Sequence, residues 1–362
     1  MNLTEYLNQS IESLLRDALR NTASNPKESA FFIRSMHVQK KASDIRSRSE
    51  KAGRHVPPFL IASIASQCNL HCVGCYARAN HVCADTASEE LPAPRWKKIF
   101  LEAAGLGVSF VLLAGGEPLF RKDVLRSASE VPDVIFPVFT NGTMLDEEYL
   151  KLFSRSRNLI PVLSVEGDAP ETDARRGAGV YRRVADVMKK IKEEGIFYGC
   201  SITVTRENLP NITADDFVDR LSANGCKLIF YVEYVPAVPG TEDLAPNDAD
   251  RGFLADQLKK LRSRRQPILF FSFPGDEKAL GGCLAAGRGF FHINARGGAE
   301  PCPFSPYSDI GLKEHTLAEA MDSPLFYGIQ KNGLTDIPHD GGCALFAKQD
   351  AVRDILKGQE GK

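Results

Sequence analysis

Between residues 3 and 20 the apolar positions Leu3, Leu7, Ile11, Leu14, Leu15, Ala18 and Leu19 recur every three or four residues. That period predicts an amphipathic helix. The stretch NTASNP (21–26) breaks it, and residues 28–53 read as a second, basic helix whose apolar face is Phe31, Phe32, Ile33 and Met36. Its Arg and Lys side chains are expected on a solvated face. From residue 59 the rhythm changes to short apolar runs: FLIASIAS (59–66), VSFVLLAG (108–115), VIFPVFT (134–140), IPVLSVE (160–166), YGCSITVT (198–205) and KLIFYVEYV (227–235). Helical patterns near 94–105, 121–130, 146–155, 180–194, 212–224 and 248–263 alternate with them. Six strand–helix units in succession predict a parallel sheet with right-handed crossovers. The strands are apolar along most of their length, as a sheet covered by helices requires.

Six units fall short of a closed eight-strand barrel. The predicted fold class is therefore α/β, a partial (β/α)6 TIM-like barrel over 57–266 behind an N-terminal helical extension, 1–56. In such folds ligands gather at the C-terminal strand ends. Beyond 266 the character changes again. PILFFSF (267–273) reads as one more strand, GFFHINARGGAEPCPF (289–304) as a hairpin turning at Arg296-Gly297-Gly298, and 316–322 as a short helix. This region, 267–362, is rich in Gly, Pro and Cys and too small to hold itself together by core alone, so a metal staple is expected.

Composition narrows the picture. The chain has 362 residues, 43% hydrophobic and 25% charged, with a formal net charge of −1. That balance gives no electrostatic reason to expect nucleic acid or an anionic membrane. No apolar run is long enough to span a bilayer, and MNLTEYLNQS lacks the basic start and apolar core of a secretory signal. A cytoplasmic location is the expectation. Nine cysteines, an odd number, argue against a complete disulfide framework. In a reducing compartment clustered thiols are metal ligands more often than cross-links.

The cysteines fall into an early cluster, two scattered members and a late trio. Cys68, Cys72 and Cys75 sit in SQCNLHCVGC (66–75), directly after the first barrel strand. Three thiolates on one tight loop can grip three corners of an iron–sulfur cubane. A zinc alternative would add His71 or His81 as fourth ligand, although the spacing is not that of a zinc finger. Cys200 and Cys226 lie in apolar strands, where buried free cysteine is ordinary packing.

The early cysteines, together with GGEP at 115–118 after the second strand, resemble the radical S-adenosylmethionine (radical SAM) superfamily. The resemblance implies a [4Fe–4S] cluster on Cys68, Cys72 and Cys75, with S-adenosylmethionine on the fourth iron. Reductive cleavage of that cofactor would yield a 5′-deoxyadenosyl radical that abstracts a substrate hydrogen. An electron donor such as flavodoxin or ferredoxin would feed the cluster. Gly115 and Gly116 would let backbone approach the cofactor closely, and Glu117 would receive its amino group. VLSVEGD (162–168) resembles the fourth-strand segment of the family, placing Ser164 near the cofactor and Glu166 where an aspartate is usual. Within ARRGAGVYRRV (174–184) Arg176, with Arg175 close behind, resembles the arginine that pairs with the cofactor carboxylate. Asn141 and Thr143 of TNGT (140–143) could line the same mouth. Thr203, Thr205 and Glu233 are substrate-side or adenosine-side candidates. One position departs from the family: the residue before the third cysteine, commonly aromatic and framing adenine, is Gly74, and Tyr76 could compensate.

The spacing Cys283-x13-Gly297-x4-Cys302, followed by Cys343 in DGGCALF, resembles the auxiliary-cluster extensions called SPASM and twitch. With three late cysteines the shorter twitch-like arrangement fits, implying one second [4Fe–4S] cluster. His292, His339, Asp340, Cys83 or a bound substrate could complete its coordination. Relatives with this extension modify ribosomal peptides or mature enzymes, so the expected substrate is a peptide or protein. Oxidation or rearrangement of a small metabolite or nucleotide is the alternative within the family. A non-catalytic zinc-stabilised binding protein is the alternative from another class.

Overall fold

The computed structural model describes residues 3–22, 25–264, 267–336 and 342–360. A nine-stranded sheet in the order β7-β6-β5-β4-β3-β2-β1-β8-β9 organises the chain. Its strands begin with β1 (Phe59–Ala65), β2 (Phe110–Gly115), β3 (Phe136–Thr140) and β4 (Leu159–Val165). They continue with β5 (Gly199–Val204), β6 (Leu228–Glu233) and β7 (Leu269–Phe273), every neighbouring pair parallel. The six strands read from the sequence are all present. β7 pairs Leu269–Phe273 with Leu228–Val232, so the parallel sheet continues past residue 266. At the other edge β8 (His292–Ile293) joins β1 in parallel and forms the expected hairpin with β9 (Ala299–Glu300). The C-terminal region thus builds both sheet edges.

Two helices precede the sheet, α1 (Leu3–Asn21) and α2 (Pro26–Lys51). α3 (Tyr76–Ala79) and α4 (Ala93–Leu106) lead from β1 to β2, then α5 (Lys122–Ser129) and α6 (Glu147–Arg155) fill the next two crossovers. α7 (Ala169–Arg176) and α8 (Val180–Glu193) follow β4, and α9 (Leu209–Ile212) and α10 (Asp215–Ala223) follow β5. α11 (Asp248–Ser263) leads to β7, and α12 (Leu317–Met321), α13 (Pro324–Lys331) and α14 (Gln349–Glu360) close the chain. No described helix is long and apolar enough to cross a membrane.

Alternation along the strands separates two cores, because successive side chains point to opposite faces. On β4, Leu163 joins an outer core with Trp96, Phe100, Phe136 and Phe153, under the helices. Val162 faces inward and joins Leu15, Ala18, Phe32, Phe197, Leu228 and Phe230. The inner core therefore draws on α1 as well as on the barrel interior.

The face α2 buries differs from the one its apolar residues suggested. Ile33 is 59% exposed, while Glu28, Phe32, Ser35, Gln39, Ala42 and Arg46 are buried. These polar groups go inside because partners await them. Glu28 pairs with Arg157 and accepts from Phe197 N at 3.1 Å. Arg46 donates to Gly107 O, to Ser109 Oγ at 2.7 Å and to Asn8 Oδ1 at 2.9 Å. Burial lowers its pKa to about 10. The expectation of a wholly solvated basic face is corrected at this residue.

Candidate functional site

The early cysteine loop is held from several sides. After β1 ends, Ser66 N and Oγ donate to Glu90 Oε1 at 2.6 and 2.7 Å, and Cys68 N donates to Ala84 O at 2.9 Å. From α3, Arg78 reaches back to Leu70 O at 2.9 Å and Cys68 O at 3.3 Å. Val73 N donates to Arg175 O at 2.9 Å. The loop geometry is thus fixed by the backbone bonds around Cys68, Cys72 and Cys75, leaving the thiols half-buried.

The GGEP turn packs directly beneath this loop. Gly116 N donates to Ala65 O and Glu117 N to Gln67 O, both at 2.7 Å. A Cβ on Gly116 would lie 2.2 Å from Gln67 O, so only glycine allows the two segments to meet. Glu117 is fully buried and accepts from Thr140 Oγ1 at 2.6 Å, Asn141 N at 2.8 Å and Leu119 N at 3.0 Å. Burial outweighs these bonds and raises its carboxyl pKa to about 7. Asn141 Nδ2 donates to Asn69 Oδ1 at 2.9 Å, tying the end of β3 to the cysteine loop. Thr143, which donates to Asn141 Oδ1 at 2.7 Å, supports that link from outside the cavity.

Beyond β4 the two candidate arginines share one anchor. Arg176 Nε donates to Glu166 Oε1 at 2.7 Å, Arg175 Nη1 donates to the same oxygen, and Thr203 N donates to Glu166 Oε2 at 3.0 Å. Arg176 Nη1 also lies 4.0 Å from Cys72 Sγ. Arg175 Nε is buried without a protein partner. Ser201, paired with Ser164 in the sheet, lines the same space and was not picked out by its motif. A polar inward residue on the fifth strand was its only signal.

Thr205 does not reach the cavity. Its N and Oγ1 bond Asn208 at 2.8 and 3.3 Å, capping the turn into α9. Glu233 lines the cavity but is already engaged, accepting from Arg251 Nε at 3.0 Å and from Gly342 N at 2.9 Å. The space left by Gly74 is filled from the end of β6: a Cβ on Gly74 would lie 2.1 Å from Tyr234 Oη. Tyr76 instead tilts against Phe304, centroids 4.8 Å apart. The Tyr234 ring thus fills the space beside Gly74, and both Tyr234 and Tyr76 line the cavity.

The late cysteines face the same cavity. Cys68, Cys72 and Cys75 line it together with Cys283, Cys302 and Cys343, around about 330 Å3 of space. Cys283 N donates to Thr335 O at 3.0 Å, and Phe346 N donates to Cys343 Sγ at 3.4 Å. The Cys302 and Cys343 thiols touch, which lowers the Cys343 pKa and raises that of Cys302. Burial pushes Cys283 up, helped by the nearby Glu277. His292 is not open to this trio, since Nδ1 meets Glu300 at 2.6 Å and Nε2 meets Ser63 Oγ at 2.8 Å. His339 and Asp340 lie outside the described residues. Cys83 touches Cys68, whose pKa this contact lowers to about 6. His71 pairs with Asp85 at 2.9 Å on the surface.

Among the described residues, no three His, Cys, Asp or Glu side chains converge on a point one metal ion could occupy. A cubane is held at its corners and does not need such convergence. The donor set of six thiols, the glycine cradle at 115–116 and the unpartnered Arg175 Nε fit an iron–sulfur cluster beside an anionic cofactor group.

A family model described as the Radical SAM superfamily matches residues 63–222. The PqqA peptide cyclase of Gluconobacter oxydans is 30% identical over 287 residues, 75% of this chain and 78% of that one. The Fe-coproporphyrin III synthase of Methanosarcina barkeri is 26% identical over 219 residues, 58% of this chain, which spans only 54% of that relative. Streptococcus suis SuiB has the same fold whether bound to S-adenosylmethionine or to its precursor peptide SuiA, with TM-scores of 0.68 and 0.66. Sequence identity to it is 20% and 19%, covering 86% of this chain and 79% and 77% of SuiB. With its cysteine loop, its GGEP turn and the sheet that carries them, this chain belongs to the radical SAM superfamily.

Proposed function

We propose that the chain is a peptide-modifying radical SAM enzyme that uses two [4Fe–4S] clusters. Membership in the superfamily implies S-adenosylmethionine and one [4Fe–4S] cluster, and Cys68, Cys72 and Cys75 are the residues that would hold it. When bound, these groups supply a 5′-deoxyadenosyl radical able to abstract an unactivated hydrogen. The residues of this chain orient and enclose. Glu117, when ionised, receives the ammonium of the methionine moiety, a charge-assisted contact. Arg175 and Arg176, braced by Glu166, offer guanidinium edges to the carboxylate. Tyr234 takes the place of the aromatic residue missing at Gly74 and frames adenine. Ser164 and Ser201 face the ribose.

Cys283, Cys302 and Cys343 would hold the second cluster. The observation that carries this reading is that both trios line one cavity, so a substrate between them is within reach of both. The peptide assignment draws on relatives named for peptide substrates. An electron donor of the flavodoxin or ferredoxin class would reduce the first cluster. The nine free cysteines suit a reducing, cytoplasmic setting. A small-metabolite reading is favoured by one observation, the likeness to a Fe-coproporphyrin III synthase.

The test is anaerobic incubation of the reconstituted protein with dithionite, S-adenosylmethionine and peptides encoded beside its gene. 5′-Deoxyadenosine should appear, and one peptide should change mass only while Cys68 is intact. Absence of 5′-deoxyadenosine would sink the enzyme reading. Its release without any peptide modification would sink the peptide assignment.

A further inference from the structure

The cavity between the two cysteine trios has two chemistries. Glu117, Asn141, Ser164, Arg175, Arg176 and Thr203 supply its polar wall from at or near the ends of β2 to β5 and from α7. A continuous run of rings forms much of its apolar wall. Phe290 stacks on Phe59 at 5.1 Å, Phe59 meets Phe273 at 6.5 Å, Phe273 lies over Phe230 at 6.4 Å, and Phe230 meets Phe139 at 5.1 Å. All five rings line the cavity.

This aromatic wall is not the floor of the site. Phe59, Phe230 and Phe273, with Leu112, also wall a second cavity of about 480 Å3 inside the barrel. Across it lie Leu7, Ile11, Leu14, Leu15 and Ala18 of α1, which close its far side. A filled interior leaves few voids larger than a water molecule. Hollow, ring-lined space beside a reacting centre is room for part of a ligand.

Several of the charges around it are paired with one another. Arg175 and Arg176 end on Glu166, Glu233 ends on Arg251, and Arg262 grips Asp276 with two bonds of 2.8 and 2.9 Å. Glu277, 4% exposed, is the acidic residue shared by both cavities, and it lies beside Cys283 and Cys343.

Building on the peptide reading above, we propose that this well takes an apolar side chain of the substrate, aromatic or branched aliphatic. Its rings hold the group to be modified against the polar half of the cavity and between the two trios. The wall selects by desolvation: an apolar side chain gains from leaving water, whereas a charged one loses its hydration against the rings.

The experiment uses the cluster-loaded protein with S-adenosylmethionine and no reductant. Four acetylated tripeptide amides, Ac-Gly-Xaa-Gly-NH2 with Xaa Phe, Leu, Asp or Lys, are titrated by saturation-transfer NMR, with indole as a non-peptide apolar probe. Phe and Leu peptides should bind roughly ten- to a hundredfold tighter than Asp and Lys peptides, as full burial of one such side chain implies. Leu112→Trp, which fills the well, should erase that preference while iron content and S-adenosylmethionine binding stay unchanged. If Leu112→Trp loses its iron, Leu269→Trp makes the same test from β7, since Leu269 lines the second cavity. Equal binding of all four peptides, or no binding of any probe, overturns the apolar well. A preference for Lys also overturns it and places selection with Glu277. Binding of indole with no peptide bound supports the well and overturns the peptide reading instead.

Discussion

Replacing Gly74 by alanine tests how Tyr234 completes the cysteine loop. Gly74 has φ +68, a left-handed conformation that costs an L residue roughly 1–2 kcal/mol. The new methyl would also sit 2.1 Å from Tyr234 Oη, 2.6 Å from Cε2 and 2.7 Å from Cζ. No real contact is that close, so the ring must leave. Leaving breaks the Tyr234 Oη bond to Thr241 Oγ1, 2.7 Å long, at about 1 kcal/mol. Together these terms predict a loss of about 2–3 kcal/mol. Adding Tyr234→Ala removes the clash but not the backbone cost. The double variant should therefore be less impaired than the sum of the two single variants, with a coupling of about 1 kcal/mol. The assay is a double-mutant cycle by urea unfolding of the metal-free protein, repeated as S-adenosylmethionine affinity after reconstitution. Purely additive losses would refute the contact between Gly74 and Tyr234.

Glu117 makes the stability of the metal-free protein depend on pH. Its folded pKa is raised by burial to about 7 from the usual carboxyl value of 4.5. Its proton is therefore held more tightly when folded, and stability present below the unfolded value is lost as pH rises through 7. The loss is on the order of 3 kcal/mol, and Glu117→Gln should flatten it in urea titrations at pH 5 and pH 8. Affinity for S-adenosylmethionine should run the opposite way, rising as Glu117 ionises. Glu233→Ala leaves Arg251 without its buried partner and releases Gly342 N, next to Cys343. It should cost about 3 kcal/mol and lower the iron content of the reconstituted protein, while Cys68-dependent 5′-deoxyadenosine release persists. Cys83→Ala should keep the full iron content, because Cys83 lies beside Cys68 as a neighbour; iron loss in that variant would make it a ligand.

The strands were readable because each is a short apolar run between helical patterns, and β1 to β6 fall where those runs stand. The residues Gly115, Gly116, Glu117, Asn141, Ser164 and Arg176 were picked out by resemblance to motifs of the family, and all six line the cavity. What escaped depends on contacts between distant segments. α7 has only Thr172 buried, so it carries no apolar period. That β7 would pair with β6 could not be read locally, since parallel pairing depends on where a crossover lands. The buried face of α2 was hidden because Ser35, Gln39 and Arg46 are polar and Ile33 is not. Tyr234 could not be linked to Gly74 without the fold that brings the end of β6 to the cysteine loop. Thr205 and Glu233 were candidates by position: Thr205 bonds Asn208 away from the cavity, whereas Glu233 lines it while bonded to Arg251 and Gly342.

An iron count tests the two-cluster arrangement most directly. Protein reconstituted anaerobically, with Mössbauer spectra taken alongside, should hold about eight irons and eight sulfides per chain as two cubanes. The Cys68/Cys72/Cys75 and Cys283/Cys302/Cys343 alanine triples should each retain about four, and the first should release no 5′-deoxyadenosine. A wild-type protein that stops at four irons, or a late-trio variant that still holds eight, would contradict two clusters facing one cavity.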